Sequence, residues 1–210
     1  MNILPSGKVV KANYNKYHKD ISDCAIRAIV AGIGMDYDLV CKRFGMSFKK
    51  GRGLIRDSGI DLEIIKQKFD EYFDIVEDFG QDEEFVPDNI PDSMLNDPDF
   101  VDPTEFELAN GIADYSLTLS DFIDVYGNAP GNKTGRYLVS LSPNKNARDE
   151  KCKREGGHIV CVMRLKGQPM AVDTWDSAEM LVDCFMRIKK VLPKDSPLHW
   201  KYDYEKKRFV

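Results

Sequence analysis

Apolar positions keep a helical spacing through most of the first half of this chain and turn to runs and alternation in the second. In the segment Ala25, Ile26, Ile29, Val30, Ile33 the spacing is i, i+3, i+4, i+7, which predicts a helix with one buried face. Asp20, Ser22 and Asp23 ahead of it are N-cap residue types, and Gly34 behind it is a C-cap. Asp36 caps a second short helix that carries Leu39, Val40 and Phe44 and stops at Gly45. A third helix is predicted over 61–79, with Ile64, Ile65, Phe69, Tyr72, Phe73 and Val76 turned inward. Thr118 or Ser120 opens a short helix through Tyr126. Residues 136–142 alternate like a strand. Ile159, Val160, Val162 and Met163 make an apolar run, Lys166-Gly167-Gln168 is a turn signal, and Met170, Ala171 and Val172 begin a return strand. A further strand is predicted over 181–191, and the tail with Trp200, Tyr202, Tyr204 and Phe209 alternates as a last one. The first nineteen residues read as an irregular arm with a short strand at 8–12, and residues 49–59 and 143–156 as charged, mostly basic loops. Helices lead and strands follow, which is an α+β plan for a single domain over 1–210.

Composition narrows the class. With 210 residues and 42% hydrophobic content the chain can bury a full core. It has no run of 18 apolar residues, so no membrane is expected as a partner, and its polar start lacks a signal core. Five scattered cysteines are an odd number, which points to free thiols in a reducing, cytoplasmic setting. The net charge of −5 hides an uneven distribution. From Phe69 to Asn132 there are 18 Asp and Glu and no Lys, Arg or His, so the rest carries 30 basic and 17 acidic residues. The centre of that run, about 81–115, contains Pro87, Pro91, Pro98 and Pro103 and reads as an acidic insertion. Such a block is a solvated surface or a docking face for a basic host or viral protein. Nucleic-acid binding is not expected, although an acidic face can mimic nucleic acid. The acids lack the alternation of a calcium loop, and the glycines of 51–53 lack the spacing of a phosphate loop.

The chemistry gathers at the hairpin. His158 enters its first strand and Asp173 leaves its second, and in an antiparallel pair these ends are neighbours. Asp176 is the alternative carboxylate, and Trp175 between the two either shields the contact or belongs to the core. A histidine held by a carboxylate lacks only a nucleophile. Cys24, in the first turn of the first helix, is the candidate, because the positive end of a helix favours the thiolate. Cys41, Cys161 and Cys184 lie inside elements and read as small buried apolar groups. A zinc site built from Cys152, His158, Cys161 and Cys184 has no paired-cysteine spacing, so neither metal nor cofactor is expected.

Taken in order, SDCAIRAI (22–29), GRYLVSLS (135–142), GGHIVCV (156–162) and AVDTWDS (171–177) resemble the papain-like cysteine peptidases. Within them the likeness is to the bacteriocin-processing peptidases and to similar small proteins encoded by bacteriophages. These pieces cover roughly a third of the chain. The resemblance implies Cys24 as nucleophile, His158 as base and then acid, and Asp173 as its orienting partner. It implies a peptide or protein substrate and, for a phage-encoded chain, a host cytoplasm. That family usually carries a Gln six residues before the cysteine, where it helps stabilise the oxyanion. Here the position holds His18, which can donate a hydrogen bond but differs in reach and titrates near neutral pH. Asn13, Asn15 and the backbone N–H of Cys24 are the other donors within the same reading. Two functions follow. One is a thiol hydrolase cleaving a peptide or isopeptide bond, with deamidation or transglutamination as relatives on the same triad. The other is a silent papain-like fold whose acidic block binds a basic partner.

Overall fold

The apolar run 159–163 is buried along its whole length, because the sheet it belongs to is covered on both faces. The computed structural model describes residues 2–17, 23–46, 60–78, 117–127 and 133–210. Six strands form the sheet: β1 (Val9–Lys11), β2 (Phe73–Asp78), β3 (Tyr137–Ser142), β4 (His158–Leu165), β5 (Gln168–Asp173) and β6 (Leu181–Ile188). Their order is β1-β5-β4-β3-β6-β2. Every neighbouring pair is antiparallel except β1 and β5, which run parallel at one edge. A separate small hairpin pairs β7 (Tyr202–Asp203) with β8 (Arg208–Phe209).

Helices α1 (Cys24–Ile33), α2 (Tyr37–Arg43) and α3 (Leu62–Lys68) cover one face, where Ile159, Cys161 and Met163 point with Leu138, Val172, Met186 and Ile188. The other face carries Val160, Val162, Val139, Leu141, Ala171 and Phe185 and is closed by α4 (Leu119–Tyr126) through Leu119, Phe122 and Ile123. Alternation along β4 therefore feeds two cores. The predicted one-sided helix is in fact wrapped almost all round: eight of the ten residues of α1 are buried, and Cys24 and Arg27 are the two that are not. Gly34 ends it in the left-handed region at φ 84, its N–H donating to the Val30 carbonyl. Asp36 and Thr118 cap α2 and α4 as the sequence indicates, Thr118 within a capping box with Asp121.

Three expectations are corrected. The predicted helix over 61–79 ends at Lys68. Residues 69–72 turn, and β2 then pairs along β6 with an irregularity between Phe73 and Val76. The apolar spacing there suits either element, and the open edge of β6 decides for the strand. The charged loop 143–156 holds a helix, α5 (Glu150–Arg154), whose first turn is capped by Asp149. The tail forms the two short strands β7 and β8 and not one, with Tyr14 stacked on Phe209 at 4.1 Å. The acidic insertion expected at about 81–115 and the basic loop 49–59 lie outside the described residues. No helix among the described residues is long and apolar enough to cross a membrane.

Candidate active site

The hairpin places two groups on one face by register alone. Cys161 stands opposite Val172, so Asp173 stands opposite Val160, and His158 lies diagonally from Asp173 on the same side. The turn that sets this register is two residues long, Lys166 and Gly167, both with positive φ (51 and 84). His158 Nε2 and Asp173 Oδ2 are 2.7 Å apart, and both residues are 4% exposed. The second carboxylate oxygen, Oδ1, accepts the Thr174 backbone N–H at 2.6 Å. The carboxylate is thus held from two sides, with one oxygen committed to the ring. Asp176 is engaged elsewhere: its Oδ2 accepts the Ser6 backbone N–H at 2.8 Å. The Trp175 ring lies 5.4 Å from the His158 ring, with Lys151 Nζ 4.1 Å from the centre of its indole.

Helix α1 brings Cys24 to this pair. Its thiol is half-buried, close enough to His158, the Ile159 backbone and Arg27 for all three to act on its ionisation. Nε2 meets Asp173, so Nδ1 is the ring nitrogen that Asp173 does not engage. Burial by itself would push the thiol pKa up. His158 above all, with the Ile159 backbone and the charge of Arg27, outweighs it and brings it below the ordinary value. Burial likewise opposes the imidazolium, yet Asp173 and Cys24 together hold the His158 pKa up at about 9. Both shifts favour one state, a thiolate beside an imidazolium. The other buried thiols go the opposite way: burial raises Cys161 to about 12 and Cys152 to about 11, and raises Cys41 as well. Among these thiols it is Cys24 whose pKa moves down.

Residues that the pattern did not single out support this arrangement. Arg27, one turn on from Cys24, donates from Nε to Asp23 Oδ1 at 2.8 Å and from Nη1 to Thr174 Oγ1 at 3.1 Å. Its Nη1 is 3.8 Å from Asp173 Oδ1. Asp23 occupies the N-cap position of α1, but its side chain makes no cap hydrogen bond. It turns inward, where Oδ2 accepts from Asn15 Nδ2 at 2.8 Å and from the Tyr37 hydroxyl at 2.7 Å. Asn15 is therefore committed to Asp23, and Asn13 turns its Oδ1 to the Asn15 N–H at 2.9 Å. The signal for this network was an acid and an arginine four apart on a helix otherwise apolar.

His18 lies outside the described residues, as do Asp20 and Ser22. No group of three or more His, Cys, Asp or Glu is placed to hold a metal among the described residues, and Cys161 turns into the core away from His158. A cavity of about 370 Å³ lies between Lys16, Tyr17, Arg208, Phe209 and Val210, and none of Cys24, His158 or Asp173 lines it. Compared with protein-family models, with curated proteins and with solved structures, the chain matches none of them.

Proposed function

We propose that this chain is a thiol hydrolase of papain-like design, cleaving a peptide or isopeptide bond. The observation that carries the reading is the buried His158–Asp173 contact at 2.7 Å with Cys24 near enough for thiol and imidazole to shift each other, the thiol down and the imidazole up. The order of elements agrees with it: the nucleophile opens a buried helix, and its partners come from the two strands of a hairpin at the same end of the sheet. In the reaction, the Cys24 thiolate attacks the carbonyl carbon and its electron pair forms the C–S bond. The His158 imidazolium then gives its proton to the departing amine as the C–N bond breaks, leaving a thioester. Water attacks the thioester, His158 takes a proton from it, and the carboxylic acid and the thiol are released. Asp173 holds the ring in place and supports its charge throughout. The backbone N–H of Cys24 and the His18 side chain are the proposed donors to the oxyanion. No metal or organic cofactor enters these steps.

The test is stoichiometric labelling by a thiol-reactive acylating probe. We expect one label, on Cys24, lost in His158→Ala while the protein stays folded, and a measured hydrolysis of peptide or isopeptide substrates that falls in step. Labelling that is indifferent to His158 would leave the other reading, a papain-like protein that binds a basic partner through its acidic block.

A further inference from the structure

We infer that Arg27 is a positioning residue of this site: tethered by Asp23, its guanidinium fixes Asp173 and Thr174 behind His158 and places a positive charge beside Cys24. The inference rests on the hydrolase reading and goes beyond its triad. The geometry forms a buried row of alternating sign. Asn15 and the Tyr37 hydroxyl hold Asp23 at 2.8 and 2.7 Å, and Asp23 holds Arg27 Nε at 2.8 Å. Arg27 Nη1 reaches Thr174 Oγ1 at 3.1 Å and lies 3.8 Å from Asp173 Oδ1, while Asp173 Oδ2 meets His158 at 2.7 Å. A buried carboxylate needs either a counter-charge or a proton. Arg27 supplies that counter-charge on the Oδ1 side of Asp173, where the Thr174 N–H also donates, and leaves Oδ2 facing the ring. Arg27 and Cys24 lie three residues apart, so they share one helix face. The planar fork of arginine suits this double duty. The charged and titratable groups packed about the pair are Asp23 and Arg27 at the start of α1, Tyr37 on α2, His158 on β4, Asp173 on β5 and Lys151 on α5 behind Trp175.

The row makes a signed prediction. Arg27→Met and Asp23→Asn break the same ion pair, so a purely structural role would have the two variants act alike. The positioning role separates them. Losing the positive charge opposes the thiolate, whereas losing the carboxylate leaves that charge on Cys24 and Asp173. The experiment is alkylation by iodoacetamide from about pH 4 to 10, read on the Cys24 peptide by mass spectrometry, with thermal unfolding in parallel. In Arg27→Met the acid limb should move up by about one pH unit, and in Asp23→Asn it should not move up. If Arg27→Met does not fold, Arg27→Gln takes its place, since it keeps a donor towards Asp23 without the charge. Profiles that coincide with wild type while only the melting temperature falls overturn the proposal. So does failure of both Arg27 variants to fold, which makes the arginine a requirement of the fold. A wild-type profile with no lowered limb overturns the hydrolase reading and this inference together. A lowered limb in wild type that Arg27→Met leaves in place overturns this inference alone.

Discussion

His158 is held by Asp173 and influenced by Cys24, and its protonation links the site to stability. Its pKa lies near 9 in the fold, above the 6.5 or so of an unfolded histidine, with burial opposing and Asp173 and Cys24 raising it. The sign follows: the folded state holds this proton more tightly, so the contribution is complete below about pH 6.5 and is lost as pH rises through about 9. Asp173→Asn should bring the ring's titration down towards 6.5 and remove that stretch of pH-dependent stability. Imidazole NMR from pH 5 to 10, with urea unfolding at both ends, measures both. Cys24→Ala should lower the titration less, because the hydrogen bond to Asp173 is the larger support. An imidazole that titrates alike in wild type and Asp173→Asn would contradict the assignment. Hydrolysis should fall by at least about 10²-fold in His158→Ala, the scale of a positioned acid–base group. The placement of these three residues was legible because they stand at element ends, Cys24 opening a helix and His158 and Asp173 at neighbouring ends of a hairpin. Arg27 was not, since an arginine on a helix ordinarily reads as a solvated face. Only the folding of Asp23 towards it, and of Thr174 over it, makes it part of the interior.

At the scale of elements, capping chemistry and hairpin turns were read from local sequence, while the edge strand was not. Gly34, Asp36 and Thr118 mark their ends by side-chain and backbone chemistry that needs no tertiary partner. Residues 73–78 depend on the free edge of β6, which no local pattern announces. The hairpin turn offers a clean test of the register argument. Lys166 sits at φ 51 before Gly167, where Asn is favoured in a two-residue loop. Lys166→Asn should stabilise the fold by about 0.5 kcal/mol and leave Cys24 alkylation unchanged, because the turn lies at the far end of the hairpin from His158. Gly34→Ala should do the reverse. Its φ of 84 excludes an ordinary side chain, and a Cβ there would lie 2.7 Å from His199 Nε2. A loss of at least about 1 kcal/mol is expected in urea unfolding. A neutral result would mean that the end of α1 can rearrange.

The whole molecule is a sheet with a covered face on either side, and the long acidic segment leaves and rejoins it at one place. Asp78 of β2 pairs with Cys184, and after the segment Thr118 bridges to Leu181, with the Val182 N–H donating to the Leu117 carbonyl. The opposite side of β6 is taken by β3, so both ends lie along the same edge of one strand, three residues apart. At the rise of an antiparallel strand that is about 10 Å, a gap that a few linker residues close. Deleting Gln81 to Asp114 and joining the ends with a short Gly/Ser linker should therefore keep the sheet, the melting transition and Cys24 alkylation. The deletion removes 11 acidic residues and no basic ones, taking the formal charge from −5 to +6. Its effect should appear in association and not in folding. If the acidic block docks a basic protein, binding of a basic peptide to the full chain should weaken as salt shortens the screening length below about 10 Å. The deleted chain should not bind that peptide at any salt. Loss of the folded state on deletion would instead show that the segment is packed against the cores, and the insertion reading would fall. Retention of the fold with peptide binding unchanged would move the docking face to another part of the surface.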